Sequence, residues 1–433
     1  SMLMGQVKTA QGLDNIRKAI QKAKDCEMIK GIYIEAGDVT ASPATLQSLR
    51  DVIVDFKKSG KFVAAYADYY SQGAYYVASA ADKVWINPKG MLAWHGLSSK
   101  PQFIRDFLDK VGVKIQVVKV GQYKSATETF TEDSMSDANR EQVSVYLNGI
   151  WDRFVGDVSK SRKISPDSLN AYADQVMEFA GANEYKQKRL IDATLYPDQV
   201  KGEIKKLLKI ADEDAVAQVS VSQMTEFASL DASTDNQIAV YYCEGSIVQQ
   251  EAQGVLMGDA GIVGPTVCRD IEALAKDDNV KAVVIRINSG GGDAYASEQM
   301  WHQIKELKKV KPVVVSMGGM AASGGYYMSS AASWIVAEPT TLTGSIGIFG
   351  TFIDAHKLMT EKLGFKYDKV TTNKHSDMSL TPMDRAFSSD EIALLQKYID
   401  RGYATFLQRV AEGRNMKTAE VDKIAQGRVW LGK

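Results

Sequence analysis

Gly324-Gly-Tyr-Tyr-Met-Ser-Ser-Ala-Ala332 nearly repeats a segment found 251 residues earlier, Gly73-Ala-Tyr-Tyr-Val-Ala-Ser-Ala-Ala81. The register extends without a gap from about residue 16 to residue 88, so Lys30-Gly-Ile-Tyr-Ile-Glu35 falls on Lys281-Ala-Val-Val-Ile-Arg286. A period this long indicates two duplicated domains and not a solenoid of short repeats.

Each copy alternates short apolar strands with helical patterns. In the second copy, residues 238–243, 282–287 and 312–316 are predicted strands, and residues 297–309 form a predicted amphipathic helix. This alternation predicts parallel βαβ units and an α/β fold. We expect a first repeat at 1–208, a polar linker at 209–236 and a second repeat at 237–433.

Composition excludes several classes of protein. The 433 residues include 52 Lys and Arg against 53 Asp and Glu, so no basic excess points to nucleic acid. Three cysteines and four histidines form no disulfide framework and no metal motif. We therefore expect a globular α/β protein with no metal and no cofactor, and no nucleic acid among its partners.

Residues 312–337 carry no charge and are long enough to span a bilayer. Four glycines and several serines within this stretch argue against a membrane helix. We interpret it as a buried strand, a tight turn and a short helix of small residues, the last beginning near Ser323.

Two glycine-rich turns follow predicted strands in the second copy. Ile287-Asn-Ser-Gly-Gly-Gly-Asp293 is either a tight turn or a loop whose N–H groups bind an anion or oxyanion. In Met317-Gly-Gly-Met-Ala-Ala-Ser-Gly-Gly-Tyr326, Ser323 is either a helix N-cap or a nucleophile at a strand-to-helix junction.

A serine nucleophile needs a base, and no histidine lies in a motif that suggests a triad. Lys124 follows an apolar strand in Val120-Gly-Gln-Tyr-Lys-Ser-Ala126. Most lysines are solvated, but burial would lower the pKa of this one toward neutrality and make it a base.

Together these motifs resemble the signal peptide peptidase A family in its long, tandem-duplicated bacterial form. The resemblance covers nearly the whole chain. It rests on Tyr70-Ser-Gln-Gly73, Gly121-Gln-Tyr-Lys-Ser125, Arg286-Ile-Asn-Ser-Gly-Gly-Gly292, Gly319-Met-Ala-Ala-Ser-Gly-Gly325, Thr343-Gly-Ser-Ile-Gly347 and Gly427-Arg-Val-Trp430. It implies Ser/Lys-dyad proteases built from two tandem Clp-protease/crotonase-like ββα-spiral domains.

The resemblance also assigns site residues. It implies that Ser323 is the nucleophile, Lys124 the general base and Ser345 the serine that orients the lysine amine. The N–H groups of Gly291 and Gly324 would form the oxyanion hole. Gly290 stands where the family has proline, which leaves open which glycine N–H donates.

Comparison of the two copies sharpens the assignment. Gln72 occupies the position of Ser323 in the first copy, so only the second copy has the nucleophile. Lys374 falls on Lys124 when one residue is dropped, but it lies in the polar stretch Thr371-Thr-Asn-Lys-His-Ser-Asp377. We therefore expect Lys124 to be the base, since a lysine base requires desolvation.

The resemblance implies that the substrates are cleaved, apolar signal peptides. It also implies an extracytoplasmic catalytic part, a membrane anchor preceding this sequence and a tetramer. Two alternatives stay open, a crotonase-like acyl-CoA enzyme and a non-catalytic membrane-associated scaffold. Counterparts of residues 238–243 and 190–193 would lie outside the sequence, so we expect both repeats to be shortened.

Overall fold

The computed structural model describes residues 11–226, 235–250, 261–380 and 384–432. Up to residue 226 the elements are, in chain order, α1 (Leu13–Asp25), β1 (Gly31–Glu35), α2 (Pro43–Lys57), β2 (Phe62–Tyr70), α3 (Gln72–Ala78), β3 (Lys83–Leu92), α4 (Arg105–Val111), β4 (Lys114–Lys119), α5 (Glu128–Thr131), α6 (Asp137–Arg162), α7 (Pro166–Asp174), α8 (Ala182–Gln187), β5 (Ala193–Thr194), α9 (Pro197–Leu208) and α10 (Val221–Glu226).

From residue 237 the elements are β6 (Gln237–Glu244), β7 (Ile247–Val248), β8 (Ile262–Val263), α11 (Gly264–Lys276), β9 (Val280–Ser289), α12 (Ala294–Val310), β10 (Val313–Ala322), α13 (Gly324–Ser329), β11 (Trp334–Val336), β12 (Leu342–Gly344), β13 (Phe349–Asp354), α14 (Ser389–Arg414), α15 (Thr418–Ile424) and β14 (Val429–Leu431). A 3-10 turn at Met177–Phe179 and a π-helical turn at Leu358–Lys362 complete them.

The chain forms two compact units. The first contains Ser1–Leu97 and Ile150–Ser233, and the second contains Ser98–Gly149 and Thr234–Lys433. The predicted repeat boundaries follow similarity within the sequence, whereas the compact units follow contacts in the structure. Residues 98–149 therefore belong to the predicted first repeat but to the second compact unit. The predicted linker contains α10, which packs against α1 within the first unit through a hydrogen bond from Lys22 Nζ to Thr225 O.

The first unit is built on a parallel sheet with the strand order β1-β2-β3-β5. Its core is aromatic: Tyr75 and Trp94 are fully buried and meet edge to face with ring centroids 5.8 Å apart. On the sheet, Tyr66 and Trp85 pack against Val200 of α9. Helix packing on a parallel sheet is the α/β arrangement predicted for this copy.

The second unit contains a six-stranded sheet with the order β14-β12-β10-β9-β6, in which β11 also pairs with β10. Three side chains of α12 predicted to face inward, Met300, Ile304 and Leu307, are fully buried. They join the sheet residues Val283 and Ile285 in one hydrophobic core. Strand β10 runs in parallel beside β9, and its last residue, Ala322, precedes Ser323.

The strands do not all pair in parallel, contrary to what the sequence predicted. Strand β14 is antiparallel to β12, and β4 forms a separate antiparallel pair with β13. Both pairs join segments that are distant in the chain, so a periodicity measured over a short window cannot report their direction. The α/β fold class is nevertheless confirmed in both units.

The uncharged stretch 312–337 adopts the predicted strand, turn and short helix as β10, Ser323 and α13. In the described part of the chain, no helix combines the length and the apolar character needed to cross a bilayer. The long helices also begin as predicted. Ser136 Oγ accepts from Asn139 N at the start of α6, and Ser388, one residue before the predicted start, caps α14.

Candidate active site

Ser323 lies where β10 ends and α13 begins. Its backbone has φ +52° and ψ −120°, a conformation that costs a non-glycine residue about 1–3 kcal/mol. Its N–H donates to Gly344 O at 2.9 Å, but its side chain makes no capping hydrogen bond to α13. Among the described residues Ser323 is therefore not a side-chain N-cap, and its hydroxyl is available for another partner.

That partner is Lys124, which lies 199 residues earlier in the chain. Lys124 follows β4 in a tight loop and is only 3% exposed. Its Nζ lies 3.0 Å from Ser323 Oγ. The two residues belong to one compact unit of one chain, so the predicted pair comes together without a second subunit.

Ser345 fixes the lysine amine from a second direction. Lys124 Nζ donates to Ser345 Oγ at 2.9 Å and to Ser345 O at 3.0 Å. Both acceptors face the amine because Ser345 has a left-handed backbone, with φ +51°, held by its N–H donating to Arg428 O at 2.7 Å. The predicted orienting serine thus contacts the lysine with its side chain and its backbone.

Burial lowers the pKa of Lys124 from its ordinary value near 10.5 to about 7. A neutral amine has two N–H donors and one lone pair. With both donors directed to Ser345, the lone pair is left for the hydroxyl proton of Ser323. The ring of Phe349, whose centroid is 5.7 Å from Nζ, contributes apolar surroundings that the sequence did not identify.

The glycine turn after β9 lies directly against Ser323. A Cβ on Gly291 would lie 2.6 Å from Gly324 N and 2.8 Å from Ser323 Cβ. A Cβ on Gly292 would lie 2.2 Å from Ile247 O. Because a Cβ at either position would collide with its neighbours, both positions require glycine. The turn thus reverses the chain and also brings backbone N–H groups beside Ser323.

The predicted donor Gly291 is already engaged, because its N–H donates to Ser289 Oγ at 3.1 Å. Gly292 N lies 3.2 Å from the position that a Cβ on Gly324 would take. Among the described residues, neither Gly292 N–H nor Gly324 N–H has a hydrogen-bond acceptor. The structure thus favours Gly292 over Gly291 as the partner of Gly324. The three consecutive glycines in the sequence indicated an oxyanion hole, but they could not indicate which of the three N–H groups has no acceptor.

A cavity of about 1100 Å³ opens onto Ser323 and Lys124. Part of its lining is a group of large apolar side chains, namely Ile348, Phe349, Phe352, Leu394, Leu395, Tyr398 and Ile399. Its described lining includes one carboxylate, Asp293, which accepts from Ala296 N and Gln249 Nε2. None of the four histidines lines it, and the described residues contain no cluster suited to a metal ion.

In the first unit, the described positions that match Ser323 and Ser345 hold no comparable pair. Gln72 Oε1 accepts from His95 N at 2.9 Å and Gly96 N at 3.0 Å, so its amide is held by backbone. Ser71, the neighbouring serine, caps α3 by accepting from Ala74 N. Trp94 occupies the position in the first copy that matches Ser345, and its side chain is fully buried.

Lys374 is placed in a polar setting, as the sequence predicted. Its side chain is 71% exposed and forms an ion pair with Asp390 at the start of α14. Its amine therefore lacks the desolvation that a lysine base needs.

A buried lysine amine between two serines, at a glycine-lined cleft of an α/β fold, defines a class of protein, the serine hydrolases that use lysine in place of histidine. The family model of Peptidase family S49 matches residues 55–211 and 305–433. The chain belongs to this family and is a serine protease, with peptides as its substrates. The parallel sheets and packed helices of both units agree with the predicted α/β fold class.

Similar proteins carry related names. The chain is 36% identical to Protease 4 of Salmonella typhi over 434 residues, which cover 97% of this chain and 68% of that protein. It is 31% identical to the chloroplastic serine protease SPPA of Arabidopsis thaliana, with coverages of 100% and 63%. A putative signal peptide peptidase SppA of Enterococcus faecium is 33% identical over 163 residues, 37% of this chain and 46% of that protein.

Two further similarities are weaker. The CoA-ligase family model matches residues 213–343, less than a third of the chain, and does not show membership of that family. A ClpP1 mutant of Listeria monocytogenes covers 42% of this chain and 77% of its own, with 18% identity and a TM-score of 0.27. A likeness this slight carries no argument about the fold.

Proposed function

We propose that Ser323 is the nucleophile, Lys124 the general base and Ser345 the residue that orients the lysine amine. The observation that carries this proposal is the 3.0 Å separation of Lys124 Nζ and Ser323 Oγ at a buried site. Desolvation leaves about half of the amines neutral near pH 7, where a base of this kind is most effective.

The reaction proceeds by acyl transfer. Neutral Lys124 takes the hydroxyl proton of Ser323 as the oxygen attacks the peptide carbonyl, and then gives that proton to the leaving amine. Water attacks the acyl-enzyme in the same way, and Ser323 is regenerated. Ser345 holds two amine hydrogens throughout, so the lone pair stays directed at Ser323 Oγ.

The N–H groups of Gly292 and Gly324 stabilise the tetrahedral oxyanion. Each such donor contributes about 3 kcal/mol of transition-state stabilisation. Gly291 supports the turn through its hydrogen bond to Ser289 Oγ, in place of the donor role that the sequence predicted for it.

The natural substrates are cleaved signal peptides or other apolar peptides. The apolar lining beside Ser323 supports this choice, since a cleft of this kind removes large aliphatic side chains from water. The name of one relative, putative signal peptide peptidase SppA, agrees with it. Action at the extracytoplasmic face of a bacterial cytoplasmic membrane, an N-terminal anchor, assembly as a tetramer and the repeat boundaries 1–208 and 237–433 are proposed on the family resemblance and the internal repeat alone.

A serine-directed fluorophosphonate tests the proposed nucleophile. We expect one label per chain, mapped by peptide mass spectrometry to Ser323, because the lysine activates this hydroxyl. The labelling rate should increase with pH through a midpoint near 7, since neutral Lys124 is the reactive form. A label on another residue, or a rate that is flat from acid pH through neutrality, would contradict the proposal.

Substitution of the oxyanion glycines gives an independent prediction. In Gly292→Ala the new methyl group would meet Ile247 O at 2.2 Å, so the amide moves and kcat falls about 100-fold or more. The control is Gly290→Ala, whose Cβ meets only the flexible side chain of Met320, at 3.3 Å. Peptide hydrolysis measured beside thermal unfolding separates lost catalysis from lost folding. Equal activity of the two folded variants would count against Gly292 as a donor.

The acyl-CoA alternative requires a free acid/base carboxylate in the cavity. The one carboxylate in its described lining, Asp293, caps α12. The described lining therefore offers no free carboxylate for acyl-CoA chemistry. Membership of the peptidase family agrees with this, and it also argues against a non-catalytic scaffold.

A further inference from the structure

The motif Gly427-Arg-Val-Trp430 has no role in the reaction described so far. Its backbone and that of Gln426 connect the two loops that carry Lys124 and Ser345. Tyr123 N–H donates to Gln426 O at 2.9 Å, on the lysine side. Gly427 N–H donates to Ile346 O at 2.8 Å, and Arg428 O accepts from Ser345 N, on the serine side.

Gly427 allows this segment to lie directly on the lysine. It has φ +76°, and a Cβ there would lie 2.7 Å from Lys124 N and 2.8 Å from Lys124 Cβ. The backbone of the motif thus forms one wall of the lysine site.

The side chain of Arg428 extends this contact to the residue before the lysine. Its Nη1 donates to Tyr123 Oη at 3.2 Å, and its Nη2 donates to Glu141 Oε1 at 2.8 Å. Tyr123 Oη in turn donates to Glu141 Oε2 at 3.0 Å, which closes a ring of three side chains. The guanidinium carbon of Arg428 also lies over the rings of Tyr123 and Trp430, 4.7 and 4.6 Å from their centroids.

We propose that Arg428 is a positioning residue for the peptidase reaction. It fixes Tyr123 against Glu141 of α6, and through Tyr123 it fixes the backbone of Lys124 so that Nζ stays within reach of Ser323. This inference rests on the proposed Ser323–Lys124 pair.

The geometry indicates that Arg428 positions the loop of Lys124 more than it stabilises the fold. Gln142, also on α6, donates from Nε2 to Tyr123 O at 3.0 Å and to Ser125 Oγ at 2.9 Å. This second connection keeps the loop folded when the arginine is changed. Lysine at position 428 would keep the charge but lose the planar fork that bonds Tyr123 and Glu141 together.

The test compares Arg428→Lys and Arg428→Met with the unmodified chain in steady-state peptide hydrolysis. We expect kcat to fall roughly 10- to 100-fold with KM changed less than about twofold, since a displacement near 1 Å costs a reaction about 100-fold. The acid limb of kcat should also move to higher pH, because a looser loop admits water to Lys124 and raises its pKa. Glu141→Gln should give a smaller loss that is not additive with Arg428→Lys.

Arg162→Lys is the matched control. It disrupts a bidentate arginine pair with Asp192 in the first unit and should leave kcat and its acid limb unchanged. Unchanged kcat and pH profile in the Arg428 variants, or a loss that follows only the fraction unfolded, would overturn the positioning role. If Lys124→Met is inactive in the same assay, such a result overturns the role of Arg428 alone. If Lys124→Met is active, the proposed pair and this inference both fail.

Discussion

Ser323→Ala is expected to lower kcat for peptide hydrolysis by roughly 10⁴-fold or more while the protein stays folded. The change removes only Oγ, whose described hydrogen-bond partner is Lys124 Nζ. Without that oxygen no acyl-enzyme can form, and only binding and the oxyanion donors continue to contribute. The measurement is single-turnover hydrolysis of an apolar model peptide, together with loss of the fluorophosphonate label.

Ser71→Ala is the control for Ser323→Ala. Ser71 adjoins the matching position in the first copy, but its hydroxyl caps α3 by accepting from Ala74 N. Loss of such a cap costs about 1 kcal/mol of stability, and activity per folded molecule should not change. Substantial hydrolysis by pure Ser323→Ala, with its label retained, would show that another residue is the nucleophile.

Lys124→Met is expected to lower kcat by about 10³-fold or more, since it removes the base and preserves the volume of the side chain. The same change should raise the thermal midpoint. In the folded protein the pKa of Lys124 is about 7, whereas in the unfolded chain it returns toward 10.5. Between these values the unfolded state binds more protons, so this group destabilises the fold at neutral pH, and less so as pH rises toward 10.5.

Lys374→Met is the matched control for Lys124→Met. Its exposed ion pair with Asp390 contributes little to stability, so neither activity nor the thermal midpoint should change measurably. Activity lost in Lys374→Met and spared in Lys124→Met would reverse the assignment of the base. A lower thermal midpoint in Lys124→Met would indicate that the hydrogen bonds of the amine to Ser323 and Ser345 stabilise the fold by more than the burial of the amine costs.

Much of the architecture could be predicted because its causes are local or repeated. The apolar side of α12 and the strand-turn-helix around Ser323 follow from periodicity and from where glycines are placed. The internal repeat showed that Gln72 stands at the position of Ser323 in the first copy. Local patterns could not give the antiparallel pairing of β4 with β13, because strand direction is set by packing between distant segments.

The sequence by itself determined that the chain is duplicated, that its fold is α/β, and that Ser323, Lys124 and Ser345 are the side chains to consider. Only the tertiary structure showed that Lys124 reaches Ser323 within one chain, that burial lowers its pKa to about 7, and that Gly291 N–H donates to Ser289 Oγ while Gly292 N–H has no acceptor among the described residues. The reason is physical. A motif specifies which groups are present, whereas desolvation, hydrogen-bond occupancy and distance depend on which segments, often some 200 residues apart, pack around them.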